Sequence, residues 1–316
     1  MLDAFENFEA RIDREELRVA RPSQLVFLCG GLIDSVDDNK KSCSLRDYII
    51  RLKKGARRIN AKIVLAETAQ QLYRDTNYDD LISFEEDIAH LSSLVLVISE
   101  SPGSLAELGA FASEEGIRES LRVIISEEHS SAESFVRYGP VRRIENIDRE
   151  RVGVFPWRTN SKNGIIKASI DRHFTEMVRW INEHIDAIPE THYYRTIPES
   201  QIFYDIVWSL SIMEAAPPEP LYEAVRKIHP GLIDSKIKDY LYVLKTCRWV
   251  GQFSYSGRDY YYLPENRDPF EYAFQAGERP RDIPAFKVVI AREFHRDARV
   301  SRAVMRRLQE IRGEAQ

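Results

Sequence analysis

Residues 94–111 read LVLVISESPGSLAELGAF, and the change of texture within this stretch decides the fold. Leu94 to Ser99 is a continuous apolar, largely β-branched run, the pattern of a strand buried on both faces. Glu100 to Phe111 then brings Ser, Pro and Gly followed by apolar residues at helical spacing, which reads as a helix start. A buried strand running straight into a helix is half of a βαβ unit, and ligands of such units gather at the carboxyl edge of a parallel sheet.

The same alternation extends outward in both directions. Apolar runs predict further strands from Gln24 to Cys29, Ala61 to Ala66 and Leu121 to Ser126. Helices are expected near Ser44 to Lys54, Asp80 to Leu91 and Ser104 to Gly116. Ile170, Phe174, Met177, Val178 and Ile181 recur at helical spacing, so Ala168 to Ile188 is expected to close the domain. Pro189 to Ser200 is then a polar break with two prolines. Beyond it the sequence predicts helices over Ile202 to Met213, Leu221 to Ile228 and Ser235 to Arg248. A hairpin from Trp249 to Leu263, turning at Ser256 and Gly257, completes a winged-helix pattern. The tail is helical and arginine-rich, with nine basic against five acidic residues from Arg281 to Gln316.

Length and composition agree with this division. A chain of 316 residues exceeds one ordinary core, which favours two domains. With 43% apolar residues, 30% charged residues and a net charge of −5, neither disorder nor a generally basic nucleic-acid binder is indicated. Three scattered cysteines, Cys29, Cys43 and Cys247, form no C-x-x-C pair, which points to a reducing, cytoplasmic setting. Met1 to Arg21 has no apolar core stretch and reads as a short amphipathic helix rather than a signal peptide. No apolar run approaches bilayer thickness, so no membrane partner is expected.

Within the deciding stretch, Glu107 is the candidate for chemistry. In the first turn of its helix, the dipole would keep it ionised, ready to engage a sugar carbon. Ser104 and Glu107 equally have the spacing of a capping box, in which both would only satisfy backbone amides. Ser101, Pro102, Gly103 and Ser104 would line a ligand at the helix mouth. Glu85, early in the preceding helix, is expected at the same sheet edge as a second acid, unless it is one charge on a solvated face. Cys29, Gly30 and Gly31 end the first strand and allow close backbone approach, yet they form no G-x-G-x-x-G fingerprint. Arg46 would pair with a ligand phosphate, or else lie on the surface. Tyr138 belongs to a compact turn, Tyr138 to Arg142, that would line the site or serve structure alone. No Walker loop, H-E-x-x-H or G-x-S-x-G appears, so no metal or cofactor is expected.

Outside that domain, Lys236, Lys238, Lys245 and Arg248 on the expected recognition helix, with Arg258 on the wing, are the candidate contacts for nucleic acid or a partner. Asp234, Asp239 and Asp259 dilute that patch. Phe253, Tyr255, Tyr260, Tyr261 and Tyr262 would stack on unpaired bases or pack as hairpin core.

Taken in order, Phe27 to Gly31, then Phe84 and Glu85, then Glu100 to Phe111, then SFVRYGPVR at 134–142 resemble the retron effector family with a nucleoside-deoxyribosyltransferase-like domain. The likeness runs from about residue 23 to 145, and the domain layout follows to the C-terminus. It implies a Rossmann-like (flavodoxin/deoxyribosyltransferase-like) parallel-sheet domain followed by a smaller α+β winged-helix domain. The corresponding segments are an N-terminal helix at 1–22, a catalytic domain at 23–188, a winged helix at 199–265 and a helical tail at 266–316. The resemblance further implies the toxic arm of an anti-phage system, restrained by a retron reverse transcriptase and its msDNA, and an oligomer is expected. Released, it would hydrolyse NAD or a related nucleotide with Glu107 as the catalytic glutamate and Glu85 as a second acid. The glycine pair here is followed by Leu32 and Ile33 before Asp34, and the loop to Ser42 is charged, which departs from the family pattern. Two other readings stand beside this one: a non-catalytic nucleotide-sensing regulator with a DNA-binding winged helix, and a nucleoside deoxyribosyltransferase.

Overall fold

The computed structural model describes residues 7–8, 10–33, 42–51, 57–65, 76–160, 164–277, 283–294 and 302–314. The charged loop from Asp34, the end of the helix expected to reach Lys54, Ala66 and the beginning of the arginine-rich tail lie outside the described residues. The chain groups into two compact units, one of Ser23–Gln71 and Asp80–Pro189, the other of Met1–Pro22, Leu72–Asp79 and Glu190–Gln316.

The first unit is built on β1 (Leu25–Cys29), α1 (Leu45–Arg51), β2 (Lys62–Leu65), α2 (Leu81–Leu91), β3 (Leu94–Ile98), α3 (Pro102–Ser113), β4 (Leu121–Ser126), β5 (Val152–Phe155) and α4 (Phe174–Asp186). The five strands are all parallel and lie in the order β2-β1-β3-β4-β5, with Val26 opposite Leu94 and Leu25 opposite Lys62. This 2-1-3-4-5 order is one of the two common doubly wound arrangements. Every residue of β1 and β3 is buried, as expected of strands covered on both faces. Val26, Leu28, Leu94, Leu96 and Ile98 join Leu45 and Ile49 of α1 and Phe174, Met177 and Ile181 of α4 in one core. On the other face the Phe27 ring lies 6.0 Å from that of Phe111 in α3.

Four strands fall where the apolar runs predict them. The fifth, Val152–Phe155, escapes the sequence because Gly153 interrupts a run of only four residues and Val154 stays exposed at the sheet edge. From β1 the chain moves toward β2, whereas from β3 it moves toward β4. The chain therefore leaves β1 and β3 in opposite directions, which makes their carboxyl ends the topological switch point, where ligands of such sheets bind.

The second unit contains α5 (Gln201–Met213), the two-residue strand β6 (Ala215–Ala216), α6 (Pro218–Ile228), α7 (Asp234–Thr246) and the hairpin β7 (Gly251–Tyr255) and β8 (Arg258–Tyr262). The three strands form an antiparallel sheet ordered β6-β8-β7. Ser256 and Gly257 turn the hairpin with φ of 51° and 76°, the left-handed pair that matches the twist of its strands. Phe253, Tyr255, Tyr260 and Tyr262 pack with Val304, Met305 and Leu308 of the helix Arg302–Glu314, so this aromatic group is core. A second antiparallel sheet sets Arg18–Ala20 between Thr191–Tyr193 and Phe270–Glu271. Of the helix expected over Met1 to Arg21, only residues 7–8 are helical among the described residues; residues 10–17 are turns with an isolated bridge from Ile12 to Phe274, and Arg18–Ala20 is a strand whose partners lie far along the chain.

Candidate functional site

At the switch point the chain after β3 begins with the cap of α3. Ser101 adopts an extended backbone, and its Oγ accepts from the Ser104 amide at 3.1 Å while Ser104 Oγ accepts from the Ser101 amide at 3.1 Å. Pro102 occupies the first turn, where a missing amide costs nothing. The capping box is therefore Ser101 with Ser104, and not Ser104 with Glu107. Glu107 is displaced into the second turn, clear of the cap. Its Oε2 is buried without a hydrogen-bond partner. Burial pushes its carboxyl up, while the nearby Arg46 and a hydrogen bond from the Cys29 thiol draw it back down. Glu107 thus lies beyond the first turn, where the helix dipole is strongest.

Glu85 comes to the same place from α2, whose N-cap is Asp80 accepting from the Ser83 amide at 2.8 Å. Phe84 and Ile88 anchor that helix to the core and carry Glu85 inward, where it is 4% exposed. Its Oε1 also lacks a partner. Burial first, and then the charge of Glu107, push Glu85 up to about 8, against the pull of Arg46. Cys29 ends β1 beneath both acids, fully buried, and its thiol is raised by burial and by both carboxyl groups. A solvated face for Glu85 is excluded by this burial.

Arg46 is 2% exposed, and its guanidinium donates through Nε to the Gly31 carbonyl at 2.7 Å and through Nη1 to the Leu28 carbonyl at 3.3 Å. It is neither on the surface nor turned to solvent, and its charge acts on Glu85 and Glu107. Glu100, which the sequence reading passed over, holds the edge together. Its Oε1 accepts from the amides of Gly31 at 2.8 Å and Arg46 at 3.0 Å, and its Oε2 from that of Leu45 at 2.7 Å. A Cβ on Gly30 would stand 3.0 Å from Glu100 Oε1, and one on Gly31 2.7 Å from Ser44 Cβ. The glycine pair is needed for the chain's own packing. Ser101 Oγ donates to the Gly30 carbonyl at 3.1 Å, and Pro102 and Gly103 remain exposed at the helix mouth.

Tyr138 is 64% exposed in a π-helical stretch, Arg137–Val141, where Pro140 interrupts the ordinary ladder. With Phe135 it lines a groove of about 340 Å³ against Gly109, Ala112 and Ser113. Those positions fall on the flank of α3 turned away from Glu107. A larger cavity, about 880 Å³, opens beyond the carboxyl ends of β4 and β5 beside Glu127, Glu128, Trp157 and Arg158. Neither the fifth strand nor that cavity could be seen without the sheet closing.

Among the basic candidates of the second unit, Lys236 Nζ lies 4.4 Å over the ring of Tyr78 and 5.1 Å over that of Tyr240. Lys245 donates to Gln252 at 2.6 Å, and Arg258 pairs with Glu219 at 3.4 Å. Lys238 and Arg248 are exposed. Asp239 is buried and accepts from both the amide and the side chain of Asn77. Among the described residues no cluster of His, Cys, Asp and Glu is arranged to hold a metal, and no helix is long and apolar enough to cross a membrane.

Fold and site together define a doubly wound α/β protein whose switch point brings together a buried acid, Glu85, a half-buried one, Glu107, and a buried arginine, Arg46. The family model for the STM3845 retron effector protein matches residues 42–252, across both units, and the chain belongs to that family. It is also similar to two proteins of Escherichia coli, named as candidate ribosyltransferase/DNA-binding proteins of retrons Ec86 and Ec73. The first is 38% identical over 128 residues, 40% of this chain and 39% of that protein. The second is 26% identical over 121 residues, 38% of each. The chain is thus matched over about two fifths of the length of these relatives.

Proposed function

We propose that the first unit cleaves the N-glycosidic bond of a nucleotide, NAD being the first to test, as the cytoplasmic effector of a retron defence against phage. The observation that carries this reading is the pair Glu107, half-buried, and Glu85, buried, within electrostatic reach of one another at the switch point, each with one buried, unpartnered oxygen. Two carboxylates do not both ionise readily in such a pocket. Glu85, near 8, keeps its proton at neutral pH and can donate to a sugar hydroxyl. Glu107, pushed up by burial but drawn back by Arg46 and the Cys29 thiol, is the member assigned to act as the carboxylate. Its carboxylate engages C1′ as the bond to the base nitrogen breaks, the base leaves with the bonding pair, and water takes its place. A second base in place of water would make the same site a deoxyribosyltransferase.

Family membership supports a retron setting, with the reverse transcriptase and msDNA as restraining partners in an oligomeric assembly. The succession of helix, strand, two helices and hairpin supports a winged-helix reading of 199–265, docking msDNA or protein through Lys238 and Arg248. A second reading, a regulator that senses a nucleotide and binds DNA without catalysis, takes support from the DNA-binding half of the relatives' names, while the ribosyltransferase half favours the first. Assaying nicotinamide release from NAD by the full chain, alone and with reverse transcriptase and msDNA, separates the two. Glu107→Gln is expected to lower release by roughly 100-fold or more, as loss of a covalent or electrostatic group does. Release unchanged in that variant would overturn the catalytic reading, and tight, sequence-selective duplex binding would favour the second.

A further inference from the structure

Doubly wound crevices receive a ligand phosphate on free amides, where the loop after the first strand meets the following helix. In this chain those amides are taken. Gly31, Leu45 and Arg46 all donate to the carboxylate of Glu100, at 2.8, 2.7 and 3.0 Å, and both carboxylate oxygens are engaged. A Cβ on Gly30 would come within 3.0 Å of Glu100 Oε1, and one on Gly31 within 3.1 Å of Glu100 Cδ. The close approach that this glycine pair permits is therefore made by an internal acid. The buried guanidinium of Arg46 likewise faces the carbonyls of Gly31 and Leu28.

We infer that Glu100 is the specificity residue of the crevice: its carboxylate fills the amide cradle of Gly31, Leu45 and Arg46, so that a phosphorylated ligand carries its phosphate elsewhere. The placement of the sugar toward Glu107 rests on the proposed function, but the exclusion of phosphate from this cradle does not. Glu100 is a positioning residue as well, since it ties the end of β3 to the loop after β1 and to the start of α1. A phosphate directed at the cradle would meet the two Glu100 oxygens at contact distance, already holding the same three amides; burial pushes this carboxyl up, while the Gly31, Leu45 and Arg46 amides draw it back down.

The test is a titration of the full chain with inorganic phosphate at constant ionic strength, read by thermal unfolding and by amide NMR, with chloride as the control. In the wild type the amides of Gly31, Leu45 and Arg46 are expected not to shift with phosphate. Glu100→Ala empties the cradle, and phosphate is expected to raise its unfolding temperature saturably. In cleavage assays the same variant should shift the KM ratio of a nucleoside to its 5′-monophosphate by roughly tenfold toward the phosphate form, with kcat for the two moving together. A structural tie alone would leave that ratio unmoved. Saturable phosphate shifts of the three amides in the wild type would overturn the inference, as would a folded Glu100→Ala that gains nothing from phosphate. Where Glu100→Ala does not fold, the wild-type titration decides alone. A chain without any cleavage activity still answers both binding arms, so failure of the function and failure of this inference are separate results.

Discussion

A carboxyl group withdrawn from water beside a second acid prefers to keep its proton, and burial and then Glu107 push Glu85 up to about 8. Its folded value lies above the ordinary 4.5, so its contribution to stability is fully present below about 4.5 and is lost as pH rises through about 8. Chemical denaturation between pH 5 and 9 is therefore expected to weaken the wild type toward the alkaline end, and Glu85→Gln to flatten that trend by up to one proton. An unchanged slope in the variant would show that Glu85 titrates normally. Glu85 and Glu107 were legible in the sequence because strand-to-helix junctions lie on one edge of a parallel sheet whatever the details. The partnerships of Glu100 were not, since its three amides come from residues more than fifty positions earlier. Arg46 shows the same gap, for nothing local marks it as buried.

For a helix, the decisive question is where it begins. The S-x-x-E spacing placed the cap of α3 at Ser104, but the backbone turns extended at Ser101, three residues earlier, and that shift frees Glu107 for the crevice. Ser101→Ala is expected to cost about 1 kcal/mol, the usual loss of a serine cap, and to lower the unfolding temperature by roughly 2–4 °C in calorimetry. Loss of activity well beyond that thermal effect would mark Ser101 as more than a cap. The core strands were readable because each is a continuous apolar run. The fifth was not, because Gly153 and the exposed Val154 remove the apolar signal at the edge. The strand Arg18–Ala20 is shorter still, and only its distant partners define it.

The whole molecule is not two beads read off in order, because the second unit gathers three separate stretches of chain. Arg18–Ala20 is the central strand of one of its sheets, between Thr191–Tyr193 and Phe270–Glu271, and Asn77 satisfies the buried Asp239 of α7. A fragment of residues 190–316 is therefore expected to be less stable than the same unit in the full chain, and to gain protection from proteolysis when a peptide of residues 1–22 is added. Equal resistance with and without the peptide would refute this. Composition breaks at prolines could not reveal such threading, because they mark where the chain turns polar and not where it returns.

That central strand also carries a timetable. The ribosome makes Arg18–Ala20 about 250 residues before Phe270–Glu271, its later neighbour. At roughly 5–20 residues per second, some 12–50 seconds separate the two. That sheet thus waits until Phe270–Glu271 has been made, and newly made molecules pass through a stage in which the parallel sheet can already be in place while this closure is still to come.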